Sequence, residues 1–89
     1  MVTSLMTRQD VSNRVKQLLI DGLSLDITPA NMPEDMLLLG DLPEFDSMAI
    51  VSIITEIEEN FGFMAEDDEL SAEVFESVAT LVDFVHARV

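Results

Sequence analysis

The residue with the clearest chemical potential is Ser47, in the stretch LPEFDSMAI (42–50), directly before an apolar run with helical period. A nucleophilic serine needs a base and an oxyanion hole. The chain has one histidine, His86, three residues from its C-terminus, and it has no G-x-S-x-G elbow. Serine hydrolysis is therefore disfavoured. Asp46 or Ser47 is expected to cap the helix that follows. Ser47 is interpreted either as this cap or as the carrier of an attached group, in which case Asp46 could still cap the helix.

Thiol and metal chemistry find little support in the sequence. There is no cysteine, so no disulfide, zinc-thiolate site or thiol nucleophile can be proposed. The acidic run EDDEL (66–70) lacks the spaced acids and central glycine of an EF-hand calcium loop. We interpret it as a solvated, helix-initiating loop and His86 as a surface residue at a helix end.

Acidic residues dominate the charge of the chain. The formal net charge is −14, and three of the four basic residues lie within the first sixteen positions. No lysine or arginine occurs from residue 17 to residue 87. Nucleic acids and anionic membranes are bound chiefly through lysine and arginine, so the composition argues against both. It favours partners with basic patches, approached at rates that depend on ionic strength.

Length and hydropathy indicate one globular domain spanning residues 1–89. A hydrophobic content of 48% opposes disorder. The longest apolar runs, such as MLLL (36–39), fall far short of the roughly 20 residues that a membrane span needs. The first ten residues lack the features of a signal peptide. We expect a soluble, cytoplasmic protein.

Three amphipathic runs predict helices. Thr7 and Asp10 resemble a capping box at the start of the first, and Asp21-Gly22 supplies its stop. The second follows the DSM motif and ends near Asn60–Gly62, and the third begins at Ser77. The apolar positions with helical spacing are Val11, Val15, Leu18 and Leu19 in the first run, Ile50, Ile53, Ile54, Ile57 and Phe61 in the second, and Val78, Leu81, Val82 and Val85 in the third.

The connection from Leu23 to Phe45 exceeds the roughly 12 to 15 residues of most structureless loops. Pro33 predicts a single helical turn within it, and SAEVF (71–75) predicts a short helical turn between the second and third helices. Because the connection is rich in apolar residues, we expect it to lie across the helices with their side chains tucked in. These residues are Leu25, Ile27, Met32, Met36, Leu37, Leu38, Leu39 and Leu42.

Taken together, these features resemble the acyl carrier protein family. The resemblance covers about the whole chain, from Thr7 to Arg88, and rests on a single small acidic domain with Asp-Ser-Met at the start of its second helix. That helix ends in EENFG (58–62), and ESVATLVDFV (76–85) is similar to the family's final helix. The resemblance implies an all-α four-helix bundle with a long connection between helices 1 and 2 and a short third helix.

The resemblance also implies the roles of particular residues. Ser47 matches the serine that bears 4'-phosphopantetheine, and Asp46 beside it matches the residue presented to the phosphopantetheinyl transferase. The cofactor carries its own thiol, which fits a chain that has no cysteine. The resemblance also implies that the carrier performs no catalysis itself. The surface expected to face partner enzymes consists of Met48, Val51, Thr55, Glu58 and Glu59.

The resemblance implies two kinds of partner, the transferase and the ligases or synthases that load the arm. These enzymes are expected to have basic patches. The carrier itself is expected to be a monomer. Membrane insertion is not expected. Cargo held against the protein is expected between helix 2 and the segment after Gly62, near Ile53 and Phe63.

The sequence departs from the fatty-acid type of the family at several positions. PEF (43–45) replaces glycine-rich sequence, Met48-Ala49 stands where leucine and an acid are favoured, and Ser52 occupies a position that is often acidic. Phe45, Met48 and Ala49 predict an unusually apolar docking surface. The partners are therefore expected to differ from those of housekeeping fatty acid synthesis.

Three functions stay open at this point. The first is an acyl carrier in a fatty acid, polyketide or other specialised pathway. The second is a D-alanyl or other aminoacyl carrier, since the choice of cargo depends on the specificity of the loading enzyme. The third, from a different class, is an acidic protein-interaction module in which Ser47 only caps a helix.

Overall fold

The computed structural model describes residues 7–40, 42–43 and 45–88. This part of the chain forms α1 (Arg8–Leu23), α2 (Ser47–Phe61) and α3 (Val78–His86), with short 3-10 helices at Pro29–Asn31 and Asp67–Glu69. Its only β-type pairing is an isolated antiparallel bridge between Leu37 and Ser77. The all-α class predicted from the sequence is confirmed.

The predicted short third helix takes the form of one helical turn. The amides of Val74, Phe75 and Glu76 each donate to the carbonyl three residues earlier, at 3.1, 3.1 and 3.3 Å. The turn stops there because Ser77 is extended (φ −145°, ψ 169°) and caps α3, where its side chain accepts a hydrogen bond from the Thr80 amide. The bundle therefore consists of three α-helices and this turn.

The start of α1 follows the sequence prediction, but its end does not. Thr7 accepts a hydrogen bond from the Asp10 amide, and the Asp10 carboxylate accepts one from the Thr7 amide, which completes the capping box. The predicted stop at Asp21-Gly22 is wrong, because α1 continues to Leu23 and ends with Ser24 in the left-handed region at φ 55°. Gly22 has a different role. A Cβ at this position would lie 2.6 Å from Ile53 Cδ1, so glycine permits the close approach of α1 to α2.

The core lies where α1 packs against both α2 and α3. Each helix buries most of the stripe predicted from its period, with Leu18, Ile50 and Phe61 only partly buried. Phe45 and Phe75 add aromatic rings from the connections. The aliphatic residues of the three helices with at most 1% of their surface exposed are Val11, Val15, Leu19, Ile53, Ile57, Val78, Leu81, Val82 and Val85.

The long connection packs over the helices as predicted, with two exceptions. Met32 and Leu38 are buried, and Leu25, Ile27, Met36 and Leu42 are partly buried against the core. Leu37 and Leu39, however, are 47% and 40% exposed. Leu37 lies in an isolated bridge with Ser77, where successive side chains point to opposite sides, and Leu39 lies in the turn that follows. The amides of Leu38 and Leu39 donate to the carbonyls of Glu76 and Phe75 at 2.9 and 3.1 Å, which turns only Leu38 inward.

The same connection satisfies the N-terminus of α3. Its turn at Pro33 is confirmed by a 3.1 Å hydrogen bond from the Met36 amide to the Pro33 carbonyl. The Met36 and Glu34 carbonyls then accept the amides of Val78 and Ala79 at 3.0 and 2.8 Å. The first amides of a helix have no partner within the helix, so these bonds fix the connection to α3.

The Glu34 side chain binds α1, and Arg8 of α1 in turn binds Asp83 of α3. Its two carboxylate oxygens accept hydrogen bonds from Arg8 Nη1 at 2.6 Å and from the buried Ser12 hydroxyl at 2.8 Å. Arg8 Nε donates to Asp83 at 2.8 Å. The hydrogen bonds from Arg8 and then from Ser12 lower the pKa of Glu34 below its ordinary value.

Replacement of Glu34 by glutamine is expected to destabilise the protein in a pH-dependent manner. At neutral pH we expect a loss of about 1 kcal/mol in the free energy of unfolding. This is the contribution of a charge-assisted hydrogen bond, reduced because the Glu34 side chain is partly exposed. Because the folded-state pKa lies below the ordinary 4.5, the ionised form contributes stability above that pH. The contribution is lost as the pH falls through the folded-state pKa.

Urea unfolding of the two proteins at pH 7 and at successively lower pH measures this difference. The matched control is Glu73→Gln, which removes a carboxylate from an exposed position. A difference between wild type and Glu34→Gln that stays constant on acidification would contradict the role assigned to Glu34.

Candidate functional site

Ser47 is the first residue of α2 and is exposed to solvent. The residue that caps the helix is Asp46, whose Oδ1 accepts the Ala49 amide at 2.9 Å and whose carbonyl accepts the Ile50 amide at 2.9 Å. Within the described residues the Ser47 hydroxyl has no hydrogen-bond partner. Asp46 therefore meets the structural need for a cap, and the Ser47 hydroxyl is left for other chemistry.

The helix start suits an anionic group esterified to this serine. The Asp46 side chain engages the Ala49 amide and not those of Ser47 and Met48. Amides of a first helical turn have no partner within the helix, and the positive end of the helix dipole adds to their attraction for an anion. A phosphodiester at Ser47 Oγ would thus lie against compatible donors, with open space around it. The surroundings fit phosphopantetheine.

Phe45 fixes the approach of the chain to this helix start. Its ring is buried and lies 6.0 Å from the Phe75 ring, centroid to centroid. The Phe45 amide donates to the Leu42 carbonyl at 3.0 Å. The prediction that Phe45 belongs to an apolar docking surface is wrong, because the ring faces the core and anchors the turn that holds Ser47 outward.

An apolar patch lies directly beside Ser47. Met48 and Val51 are 81% and 66% exposed, and together with Ser47 and Ser52 they line one shallow depression on α2. We call these four residues the docking patch. The structure therefore brings two of the predicted partner-facing residues, Met48 and Val51, next to the serine.

The other three predicted partner-facing residues lie further along α2. Thr55 is exposed and its hydroxyl donates to the Val51 carbonyl at 2.9 Å, while Glu59 is exposed one turn later. Glu58 is partly buried, and its Oε2 accepts the Ala65 amide at 2.8 Å. The Glu58 carboxylate is thus committed to the segment that follows α2, whereas Glu59 projects into solvent.

A groove of about 220 Å³ runs between α2 and this following segment. Ile50, Ile54 and Thr55 form part of its helical wall, and Ala65 and Leu70 form the opposite wall. We call it the α2 groove. It lies between the predicted elements but not at the predicted residues. Ile53 is buried against Gly22 of α1, and the Phe63 ring packs edge-on against Phe84 at 6.5 Å.

Two candidates from the sequence remain, the acidic run at 66–70 and His86. The acidic run forms the 3-10 helix Asp67–Glu69, and the Glu66 amide donates to Glu69 Oε1 at 3.0 Å. Arg88 pairs with Glu69 and lies 4.2 Å from the centroid of the Phe84 ring. His86 is partly buried in the last turn of α3. The described ranges contain no group of three or more histidine, aspartate or glutamate side chains placed to hold a metal ion.

Nor does any helix in the described part of the chain combine the length and apolar character that a membrane crossing requires. The fold and the site instead define a class of protein. It is a small all-α domain that presents an exposed serine at a helix start, where the neighbouring Asp46 caps the helix.

Comparisons with known proteins identify the class more closely. The chain is 33% identical to an acyl carrier protein of Rubrobacter xylanophilus over 90% of this chain and 93% of that protein. It is 31% identical to one of Thermosynechococcus vestitus, over 94% and 98% respectively. No family model matches. The chain belongs to the acyl carrier protein family.

Solved structures agree with this assignment. The solution structure of a holo acyl carrier protein from Nitrosomonas europaea superposes with a TM-score of 0.79 at 40% identity, covering 86% of this chain and 93% of that one. KstB-PCP in its apo form superposes with a TM-score of 0.74 at 28% identity, covering 92% and 89%. The chain thus has the fold of these two proteins, and Ser47 begins its second α-helix.

Proposed function

We propose that Ser47 carries 4'-phosphopantetheine and that the protein shuttles acyl groups, bound as thioesters on that arm, between enzymes of a biosynthetic pathway. The observation that carries the proposal is the arrangement at the start of α2, where Asp46 caps the helix and the exposed Ser47 hydroxyl has no hydrogen bond to any residue that the structure describes. The similarity to a holo acyl carrier protein supports the identity of the group.

The arm supplies the thiol that this cysteine-free chain lacks. In the loading step, Ser47 Oγ loses its proton and bonds to the phosphorus of coenzyme A that bears the pantetheine, and the nucleotide part of coenzyme A leaves. The transferase provides magnesium and the base. Helix α2 contains no histidine, lysine or arginine, and the proposal assigns the activation of Ser47 to the transferase.

Incubation with a broad-specificity phosphopantetheinyl transferase, coenzyme A and magnesium tests the proposal. Intact-protein mass spectrometry should show a gain of one phosphopantetheine. Failure to gain this mass would favour the acidic interaction module, in which Ser47 carries nothing. Turnover of an ester substrate by the unmodified protein, lost in Ser47→Ala, would instead favour a hydrolase.

The docking patch and the exposed acids further along α2 together form the proposed partner surface. Glu56 and Glu59 are exposed in the second half of the helix, where they attract the basic patches expected on partner enzymes. The first half offers the side chains of Met48 and Val51 and no acid. We infer that partners bury an apolar contact next to the arm and use charge mainly to speed the encounter.

Truncation of Met48 is expected to weaken docking independently of salt. Burial of one exposed methionine side chain contributes about 1.5 kcal/mol, so Met48→Ala should lower kcat/KM of the transferase reaction about tenfold. Glu59→Gln should have a smaller effect that disappears at high ionic strength, because exposed charges are screened. Steady-state kinetics at low and high salt measure both changes.

Met64 provides the matched control, because it is 82% exposed but lies outside the docking patch. Met64→Ala should leave kcat/KM unchanged. Equal effects of the two alanine variants, or a Met48→Ala effect that vanishes in salt, would contradict the apolar contact.

The pathway and the setting belong to the same proposal. We propose a monomeric, cytoplasmic carrier for fatty acid, polyketide or other specialised acyl groups. Loading by a D-alanine-activating or other amino-acid-activating ligase is the alternative. Incubating the holo protein with each activating enzyme, followed by mass spectrometry, distinguishes an acyl from an aminoacyl thioester.

A further inference from the structure

The methionines that the structure describes differ in their access to solvent. Of the six methionines in the chain, Met32 is 1% exposed and Met36 is partly buried against the core. Met48 and Met64, by contrast, are 81% and 82% exposed. Because oxidation of a methionine follows its exposure, a small oxidant reaches the sulfur of Met48 and Met64 but not that of Met32 while the protein stays folded.

Of the two exposed residues, only Met48 lies beside Ser47. It follows Ser47 in the first turn of α2 and lines the docking patch. Met64 lies in the segment after α2 and outside this patch. The two side chains thus have the same chemistry and nearly the same exposure, and they differ in whether they adjoin the serine.

The part of α2 next to Ser47 offers a partner apolar contact and no ion pair. The first charged residue of this helix is Glu56, more than two turns after Ser47. Met48 is the more exposed of the two large apolar side chains in the docking patch, since Val51 is 66% exposed. A chemical change at Met48 therefore alters the main apolar contact of the patch, and no charge on these turns compensates for it.

The thioether of an exposed methionine reacts with hydrogen peroxide without the help of a base. The sulfur Sδ donates an electron pair to one peroxide oxygen, and the O–O bond breaks. The proton on the transferred oxygen passes to the departing hydroxide, which leaves as water. Methionine is oxidised and peroxide is reduced in this step. The product is methionine sulfoxide, in which a flexible apolar side chain has become a polar one.

We propose that Met48 is a redox switch for docking, turned off when hydrogen peroxide converts its sulfur to the sulfoxide and turned on again by reductases that use thiols. The inference rests on the proposed function, since the contact that is lost is the one through which partner enzymes approach Ser47. A partner that buries the patch against an apolar surface has to strip water from the sulfoxide oxygen, and this is unfavourable without a new hydrogen bond. In the reverse step a pair of thiols is oxidised to a disulfide and the oxygen leaves as water.

Peroxide treatment of the apo protein, followed by transferase kinetics, tests the switch. The apo chain has no cysteine, so no protein thiol competes for the oxidant. Catalase removes the peroxide before the transferase, coenzyme A and magnesium are added, and mass spectrometry of proteolytic fragments shows which methionines gained oxygen. Oxidation at Met48 should lower kcat/KM at least about tenfold. Treatment with the reductases for both sulfoxide epimers should restore it.

Two variants assign the effect to one sulfur. Met48→Leu replaces the thioether by an aliphatic side chain of similar volume, and its treated and untreated forms should have the same kcat/KM. Met64→Leu removes the exposed sulfur outside the docking patch, and peroxide should lower its kcat/KM as much as that of the wild type. Each protein is compared with its own untreated form, so any change in basal docking cancels. An unchanged urea midpoint confirms that the treated proteins stay folded.

The outcomes separate this inference from the function on which it rests. Failure of the untreated protein to gain phosphopantetheine contradicts the carrier function before any oxidation. Normal loading that keeps its kcat/KM when Met48 is oxidised overturns the switch. An equal loss in Met48→Leu, or oxidation of Met32 as fast as that of Met48, also overturns it. A loss that occurs only in proteins with Met48, and that the reductases reverse, supports it.

Discussion

Ser47→Ala is expected to abolish the gain of phosphopantetheine completely. The variant removes the only atom to which the phosphorus would bond, and no cysteine is present to replace it. The change should leave the fold intact, because Asp46 supplies the cap and alanine is well accepted inside a helix. Intact-protein mass spectrometry after transferase treatment measures the loss, and urea unfolding within about 0.5 kcal/mol of wild type confirms the fold.

Ser52 offers the matched control for this variant. It is an exposed serine on the same helix and belongs to the same docking patch, but it lies inside α2 rather than at its start. Ser52→Ala should gain the full phosphopantetheine mass. A gain that persists in Ser47→Ala, or that is lost in Ser52→Ala, would contradict the assignment of Ser47.

The helices could be predicted because the information that defines them is local. The apolar stripes of α1, α2 and α3 repeat within a few residues, and the capping residues stand directly before them. The side chains of Thr7 and Ser77 accept hydrogen bonds from the backbone amides three residues later, those of Asp10 and Thr80. Signals of this kind depend only on neighbours along the chain.

The errors in the prediction share the opposite cause, since each depends on a distant contact. Gly22 resembles a helix stop, but its neighbour Ile53 explains the absence of a side chain. Phe45 resembles a surface residue beside the motif until Phe75 is placed against it. Glu58 and Glu59 are neighbouring residues of the same type, so the sequence gives them the same role. They differ in the structure because only Glu58 accepts a hydrogen bond from the Ala65 amide.

The site itself was predicted in kind but not in detail. Residue types alone left open whether Ser47 caps α2 or carries a group, and the resemblance to a family supplied the second interpretation. The hydrogen bonds of Asp46 now show that the cap does not need the Ser47 side chain. The place of the cargo stays a prediction. A groove does lie between the two elements named for it, but Ile50 and Ile54 line it in place of Ile53, because of how α2 is rotated against α1.

Leu38→Ala is expected to have the largest effect on stability among single changes in the long connection. Leu38 is fully buried, and truncation of a buried leucine costs about 2–5 kcal/mol. A domain of this size is stable by only about 5–15 kcal/mol. With a urea dependence of about 1–3 kcal/mol per molar, the midpoint of unfolding should fall by at least about 0.7 M.

Leu37→Ala and Leu39→Ala are the controls, because they make the same chemical change on either side of Leu38. Leu37 and Leu39 are each a little under half exposed, while the backbone between them is paired with 75–77. Each should change the free energy of unfolding by less than about 0.5–1 kcal/mol. A uniform loss in all three variants would contradict the inward placement of Leu38 alone, which follows from the pairing of this segment with residues 75–77.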